Sequence, residues 1–571
     1  MLIQLLALPL VATLAQAQSS SSLSAHSLLK DVPALPLGLY RHLKTSDDAA
    51  SALQSTDYTS THSNQLPFLS SSSFPPHSFN QRVSHDPQVP SNSSFKQRYW
   101  FDASHYKKGG PVFLLDAGET NGEGRIPFLE KGILRILSEA TGGIGIVFEH
   151  RYYGESFPTK NLTTDSYRFL TTLQSIQDTN YFAENIVLPG LEDVDLSPKK
   201  TPWIRYGGSY AGATTALARK LYPEIWWGGI ASSAVTTAII DYWEYYKPIQ
   251  EHAPSDCISQ LQNHTAAIDS LLALKNTFLT SSLKTYFGLP NVTQDTDFVN
   301  ALTIPLGSWQ ARNWDPDPKV GSKTFYRFCD ALTSPTSNST TSSPSSSSSI
   351  ESELFPSWPS NPRKQLAAFS NYANYIKEHV AASCPEGVEQ DLCFGTELYE
   401  GDGLEEAPWK SWSYQFCTEW GYFIGRAPEG HPSIVSRLLT PEYTGQICQK
   451  AFPDGELNAV PALPNVTKIN QYGSFDLTYP RLAFIDGSAD PWIGATPHSP
   501  HAKERKDTLR KPFKIIPEGV HHWDENGLDD PSSEPKEIQK IHREEIEFVR
   551  SWLKEWKGRG KWKMDPSRKD S

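Results

Sequence analysis

The strongest constraint on the fold is a set of short apolar runs that alternate with helical patterning. Gly110-Pro-Val-Phe-Leu-Leu-Asp116, Gly142-Gly-Ile-Gly-Ile-Val-Phe-Glu149, Thr201-Pro-Trp-Ile-Arg-Tyr206 and Gly228-Gly-Ile-Ala-Ser-Ser233 are each too short for a helix. Apolar on consecutive positions, they suit strands buried on both faces, as in a parallel sheet. Ile126–Ala140 and Ala211–Leu221 have helical spacing and fall between them. Strand–helix alternation of this kind predicts an α/β fold with a parallel sheet. The pattern stops near Tyr245 and resumes at Arg481-Leu-Ala-Phe-Ile-Asp486 and Pro512-Phe-Lys-Ile-Ile516. A closing amphipathic helix is expected over about Pro535–Trp556, where Ile538, Ile541, Ile546, Val549, Trp552 and Leu553 share one face.

The interruption defines the domain plan. Residues 79–245 and 466–557 form the two parts of one α/β core, and residues 246–465 are an inserted cap with a Ser-rich loop at 334–349. Residues 18–78 are a Ser-, Thr- and Pro-rich leader without sustained periodicity, and 558–571 a polar tail. With 38% hydrophobic residues and 16 Trp, the chain has ample material for a large core.

Residues 1–17, MLIQLLALPLVATLAQA, have the apolar run and small-residue end of a signal peptide cleaved before Gln18. That run is too short for a membrane anchor, so a secreted, extracellular protein is expected. Sequons at Asn92, Asn161, Asn263, Asn291, Asn338 and Asn465 are candidates for glycosylation. Cys257, Cys329, Cys384, Cys393, Cys417 and Cys448 all lie in the cap, and their even number fits disulfides in an oxidising compartment. The expected pairs are Cys257–Cys329, Cys384–Cys393 and Cys417–Cys448, although sequence does not choose among pairings. No CxxC pair supports a zinc site, and no metal or cofactor is expected. The 52 Lys+Arg against 64 Asp+Glu, a net charge of −12, remove the electrostatic footprint of a general nucleic-acid binder.

Chemistry concentrates at Gly207-Gly-Ser-Tyr-Ala-Gly212, between a predicted strand and a predicted helix. A serine there is held in strained backbone geometry with a helix N-terminus behind it, the context of a nucleophile elbow. Ala211 stands where G-x-S-x-G has its second glycine. Asp490 and His521 each follow a late strand, and the order Ser…Asp…His is that of α/β-hydrolases. In that scheme His521 takes the proton of Ser209, and Asp490 orients the imidazole. His522 is the rival base. The Tyr210 peptide N–H, directly after the serine, is one oxyanion donor.

These motifs resemble the prolyl carboxypeptidase and dipeptidyl peptidase II family of serine exopeptidases, including secreted fungal relatives. The resemblance runs through Gln97-Arg-Tyr-Trp100, Gly109-Gly-Pro-Val-Phe113, Glu149-His-Arg-Tyr-Tyr-Gly-Glu-Ser156, Gly207–Gly212, Asp490-Pro-Trp492 and Gly519-Val-His-His522. It implies an α/β-hydrolase core with a mainly helical cap, Ser209, Asp490 and His521 as catalytic residues, and the Gly118-Glu119 turn as second oxyanion donor. It also implies that Trp492 lines a proline-accepting pocket. Ser84-His85 stands where relatives often have Asp-His. The expected activity is a serine peptidase acting on peptides or proteins after proline, first as a carboxypeptidase. Dipeptide release, endopeptidase action, an esterase or lipase, and a non-catalytic binding protein are the alternatives. Glu149, Glu155 and Glu419 are candidates to meet a substrate ammonium.

Overall fold

The computed structural model describes residues 74–317, 320–335, 353, 362–396 and 401–558. Its centre is an eight-stranded sheet built from β1 (His77–Arg82), β2 (Ser94–Asp102), β3 (Val112–Asp116), β4 (Ile144–Phe148), β5 (Trp203–Gly208), β6 (Trp226–Ser232), β9 (Leu482–Gly487) and β10 (Phe513–Ile516). They lie in the order β1-β2-β4-β3-β5-β6-β9-β10. The strands from β4 to β10 are parallel, and β1 and β2 join antiparallel at one edge. This is the α/β-hydrolase arrangement that the strand–helix alternation predicts. Every residue of β3 and β4 is buried, as expected for strands covered on both faces. The first strand starts at His77, two residues before the boundary expected for the core.

Helices cover both faces. The stretch expected as one helix from Ile126 is two, α1 (Pro127–Glu130) and α2 (Ile133–Thr141). The break sits at Gly132, where any β-carbon would come within 2.5 Å of the Glu525 carbonyl oxygen. Tertiary contact with the loop after β10 therefore overrides local helix propensity. Further helices are α3 (Thr172–Asn185) and α4 (Ser209–Leu221), the latter packed between β5 and β6.

Between β6 and β9 the chain builds the cap, including α5 (Ser255–Ala273), α6 (Thr324–Thr333), α7 (Pro362–His379) and α8 (Ala407–Gln415). Disulfides join Cys257 to Cys329, Cys384 to Cys393 and Cys417 to Cys448. A π-helical turn, Phe416–Trp420, continues α8 and leads into β8 (Gly421–Phe423). That strand pairs in parallel with β7 (Ile239–Asp241), which leaves the core just after β6. This small second sheet ties the cap to the core and has no signature in the sequence patterning. The cap and the elbow share one hydrophobic cluster, in which Tyr210 and Val235 pack with Trp420, Phe287 and Phe325. The chain ends in α9 (Lys536–Gly558), whose Ile538, Ile541, Val549 and Trp552 are buried against the sheet. The Ser-rich run lies outside the described residues from 336 onward, together with Asn338, the signal-peptide stretch and the polar tail beyond 558. Asn92, Asn161, Asn263, Asn291 and Asn465 are all exposed.

Candidate active site

The elbow forms where β5 ends and α4 begins. Ser209 is the first residue of the helix and has a φ of 59°, the left-handed region that a non-glycine residue enters only under constraint. The turn is tight enough that a β-carbon on Gly207 would fall 2.3 Å from the Ala211 carbonyl oxygen. A small flanking residue is therefore a steric requirement. The following peptide N–H, that of Tyr210, opens the helix, where unpaired N–H groups favour negative charge.

Asp490 and His521 come from the loops after β9 and β10. The His521 Nδ1 faces both carboxylate oxygens of Asp490, at 3.1 and 3.0 Å. Asp490 is fully buried, and Trp492 N donates to its Oδ1 at 2.9 Å. Burial opposes its charge, but the His521 ring and hydrogen bonds from His521, Ser233 and Trp492 outweigh that and hold the carboxyl below the usual range. Ser233, at a φ of 45°, links the two loops, since its hydroxyl also accepts from the His522 N–H at 2.8 Å. No pattern around Ser233 marks it in the sequence. Among the described residues the Ser209 hydroxyl makes no hydrogen bond, so the serine–histidine contact is open in this structure. Such contacts often close only on substrate binding.

The two adjacent histidines have different partners. His522, at a φ of 37°, places Nδ1 2.9 Å from Glu525 Oε2. Burial works against its charge, yet Glu525 raises its pKa above that of a free imidazole, and Glu525 in turn is held low despite burial. Behind them, the buried Asp524 accepts from Tyr206 Oη and Ser232 Oγ, which fastens the histidine loop to β5 and β6. Burial pushes the Asp524 carboxyl up to about 6, against those hydrogen bonds.

The turn after β3 holds the other expected oxyanion donor. Asp116 accepts from Gly118 N at 3.1 Å, and from Arg205 Nη2 and Thr214 Oγ1 at 2.5 and 3.0 Å. One buried carboxylate thus couples the turn to β5 and α4. Glu119 follows, half-buried, its carboxyl raised by burial against the opposing charges of Arg125, His521 and His522. Its other anchor is the motif Glu149–Ser156. Composition reads that motif as an exposed loop, but Glu149, His150, Arg151, Tyr152, Tyr153 and Ser156 are buried. The Glu149 carboxylate accepts from Arg98 Nε and Nη2 and from Gly122 N at 2.7 to 3.0 Å, and from Ser156 Oγ at 2.6 Å. Arg151 makes a bidentate pair with Asp178, which also receives His85 Nε2 at 2.9 Å. Every charge in the motif is paired within the protein, that of Glu155 by an exposed contact with Arg98 at 3.3 Å.

The remaining candidates separate. Trp492 is partly exposed, stacks on Tyr242 at 5.3 Å, and meets Tyr245 and Tyr422 edge-on at 5.4 and 5.1 Å. Its Nε1 donates to Gln310 Oε1 at 2.8 Å, fixing the ring as a wall. Glu149 is saturated, Glu155 is exposed beside Arg98, and Glu419 caps α3 through Thr172 N and Oγ1 at 2.9 and 2.8 Å. None of the three carboxylates expected to meet an ammonium is free to do so. No group of His, Cys, Asp and Glu suited to a metal ion occurs among the described residues. No helix among them is long and apolar enough to cross a membrane.

Comparison with known proteins follows the same lines. A probable extracellular serine carboxypeptidase from Arthroderma benhamiae is 41% identical over 497 residues, covering 84% of this chain and 68% of its own. Serine protease vicPa from Bipolaris victoriae is 27% identical, over 75% of this chain and 80% of its own. Among solved structures, a proline iminopeptidase from Mycobacterium smegmatis aligns over 84% of this chain and all of its own, at 11% identity and a TM-score of 0.34. The family profile described as Serine carboxypeptidase S28 matches residues 85–545, which takes in the elbow, both late loops and the whole cap. The chain belongs to the serine carboxypeptidase S28 family and is a serine-type peptidase.

Proposed function

We propose that this peptidase is secreted, cleaves peptides after proline and releases a single C-terminal residue, using Ser209 as nucleophile, His521 as base and Asp490 as its orienting acid. The observation that carries the reading is the His521–Asp490 pair in the loops after β9 and β10, together with a serine held at positive φ between β5 and α4. In the reaction, His521 takes the Ser209 proton as Oγ attacks the carbonyl, then delivers it to the leaving amine; water repeats the cycle on the acyl-enzyme. The N–H groups of Tyr210 and Glu119 receive the oxyanion. A flat, hydrogen-bonded Trp492 face suits the pyrrolidine ring of proline. Carboxypeptidase rather than dipeptidyl peptidase action is favoured because Glu149, Glu155 and Glu419 are all engaged within the protein. Secretion is favoured by three disulfides and five exposed sequons.

Mass spectrometry of products from a peptide with a penultimate proline, with termini free or blocked, tests this reading. Release of one C-terminal residue only from the free-carboxylate peptide is expected, with Ser209→Ala inactive. Turnover of short-chain esters with no peptide cleavage would replace it with the esterase alternative.

A further inference from the structure

An oxyanion hole works only when both of its donors reach the same oxygen, each at about 2.7–3.1 Å. The two proposed donors of this chain stand on separate elements: the Tyr210 N–H opens α4 after β5, and the Glu119 N–H belongs to the turn after β3. A misplacement of about 1 Å between such groups costs about 10²-fold in rate. β3 and β5 are neighbours, but their backbone ladder ends at the Leu115–Tyr206 pair, short of both donors. Towards β4 the pairing continues, with Asp116 opposite Phe148 and Ala117 N donating to Phe148 O at 2.9 Å. Among the described residues no backbone hydrogen bond joins 117–120 to 207–212. The link between the turn and the elbow therefore has to come from side chains.

Asp116 sits where that ladder stops, its side chain buried. Oδ1 accepts from Gly118 N at 3.1 Å, which folds the turn back at a glycine with a φ of 71°. Oδ2 accepts from Arg205 Nη2 of β5 at 2.5 Å and lies 3.0 Å from Thr214 Oγ1 of α4. The same threonine hydroxyl accepts from Arg205 Nη2 at 3.0 Å and stands 3.0 Å from Ala211 O, in the first turn of the elbow helix. Arg205 Nη1 donates to Thr179 Oγ1 of α3 at 2.8 Å, which fixes the guanidinium from behind. The turn and the elbow are also in contact: a β-carbon on Gly118 would stand 3.4 Å from that of Ala211. We propose that Asp116 is a positioning residue of the oxyanion hole, holding the Gly118-Glu119 turn at a set distance from the nucleophile helix through Thr214 and Arg205, a role that rests on the oxyanion donors proposed above.

A carboxylate suits this task. It accepts from the turn, the strand and the helix at once, and hydrogen bonds to a charged acceptor are shorter and stronger than neutral ones. Asp490, His521 and Trp492 are held by other partners, so loosening this network leaves the base and the Trp492 wall in place. The loss should therefore fall on the transition state rather than on substrate binding.

The test uses the full enzyme, a peptide that wild type cleaves, and two short peptides of matched sequence, one ending in prolinal and the other in prolinol. Ser209 Oγ adds to the prolinal carbon, the carbonyl π pair moves onto its oxygen, and the serine proton passes to His521. The adduct thus puts an oxyanion before the two donors, which the alcohol cannot do. Wild type is expected to bind the aldehyde far more tightly than the alcohol. Asp116→Asn should lower kcat and the aldehyde-to-alcohol affinity ratio together, by about 10²-fold, with KM and alcohol binding close to wild type. Thr214→Val leaves the Arg205–Asp116 pair in place and should lower both by about tenfold, and Thr214→Ser should recover most of that loss. An unchanged ratio in both Asp116→Asn and Thr214→Val, whatever happens to stability, overturns the positioning role and leaves the proposed donors standing. Equal affinity of wild type for aldehyde and alcohol overturns the oxyanion reading, and this role with it. If Asp116→Asn fails to fold, as judged by its thermal melt, Thr214→Val decides: a wild-type ratio in that variant overturns the assignment.

Discussion

Asp524 offers a direct test of how the histidine loop is held. It is 1% exposed, and its carboxyl accepts from Tyr206 and Ser232, residues of β5 and β6. Burial raises it from 3.8 to about 6. A carboxyl whose folded pKa is raised contributes stability that is fully present below its unfolded value, near 3.8, and lost as pH rises through about 6. A rise of roughly two units, at about 1.4 kcal/mol each, makes the protein about 3 kcal/mol more stable in acid than at neutral pH through this group alone. At about 2.1 cal/mol/K of unfolding entropy per residue, a chain of this length shifts its melting point by about 2–3 °C for that energy. Asp524→Asn keeps a carbonyl acceptor and cannot ionise. Thermal melts of both proteins from pH 4 to pH 7.5 should show wild type losing those degrees relative to the variant. Parallel curves would refute the reasoning, because they would mean that Asp524 titrates as freely in the folded state as in the unfolded one.

Other outcomes follow from the same geometry. Asp490→Asn should fold and melt as wild type does at neutral pH, yet lose about 10⁴-fold in kcat, because the amide no longer fixes the tautomer of His521; steady-state kinetics check it. Trp492→Ala should raise KM for proline peptides more than for alanine analogues, by about tenfold for a buried aromatic contact, while Trp492→Phe keeps most of the wall. Removing the Cys417–Cys448 bridge, which closes a 31-residue loop, should destabilise the cap by about 3–4 kcal/mol, seen as an earlier unfolding phase in denaturant. Glu545→Gln should stabilise the protein at neutral pH, since this buried carboxyl has no hydrogen-bond partner for either oxygen and burial raises its pKa well above the usual range.

The sheet was readable because its strands are apolar on consecutive positions, which is the direct imprint of burial on both faces. Ser209, Asp490 and His521 stand out as candidates because each follows a strand in a fixed order. What escaped depends on contacts that residue types do not encode. Glu149, Arg151 and Asp178 look like surface charges until their partners are known, since saturation by Arg98, Gly122 and Ser156 is a property of three dimensions. Gly132 interrupts a good helical pattern for the sake of the Glu525 carbonyl, almost 400 residues away by number. Ser233 carries no motif, and its role as a link between two loops appears only once Asp490 and His522 flank it. The β7–β8 pair is too short to leave a periodic trace.

The insertion of the cap between β6 and β9 also sets a timetable. Those strands are neighbours in the sheet, yet the ribosome makes them far apart in time. Ser209 emerges roughly 280 residues before Asp490, about 15 to 60 seconds earlier at ordinary elongation rates. Under the proposed triad, the chain during that interval holds Ser209 without its acid or base. The proposed His521–Asp490 pair forms only when β9 and β10 dock on the edge of β6, after the cap has been made. On the proposed mechanism, a nascent or truncated chain that stops short of those strands has no means of cutting the peptides around it. On that reading, chain order alone keeps the protease silent until both late strands are in place.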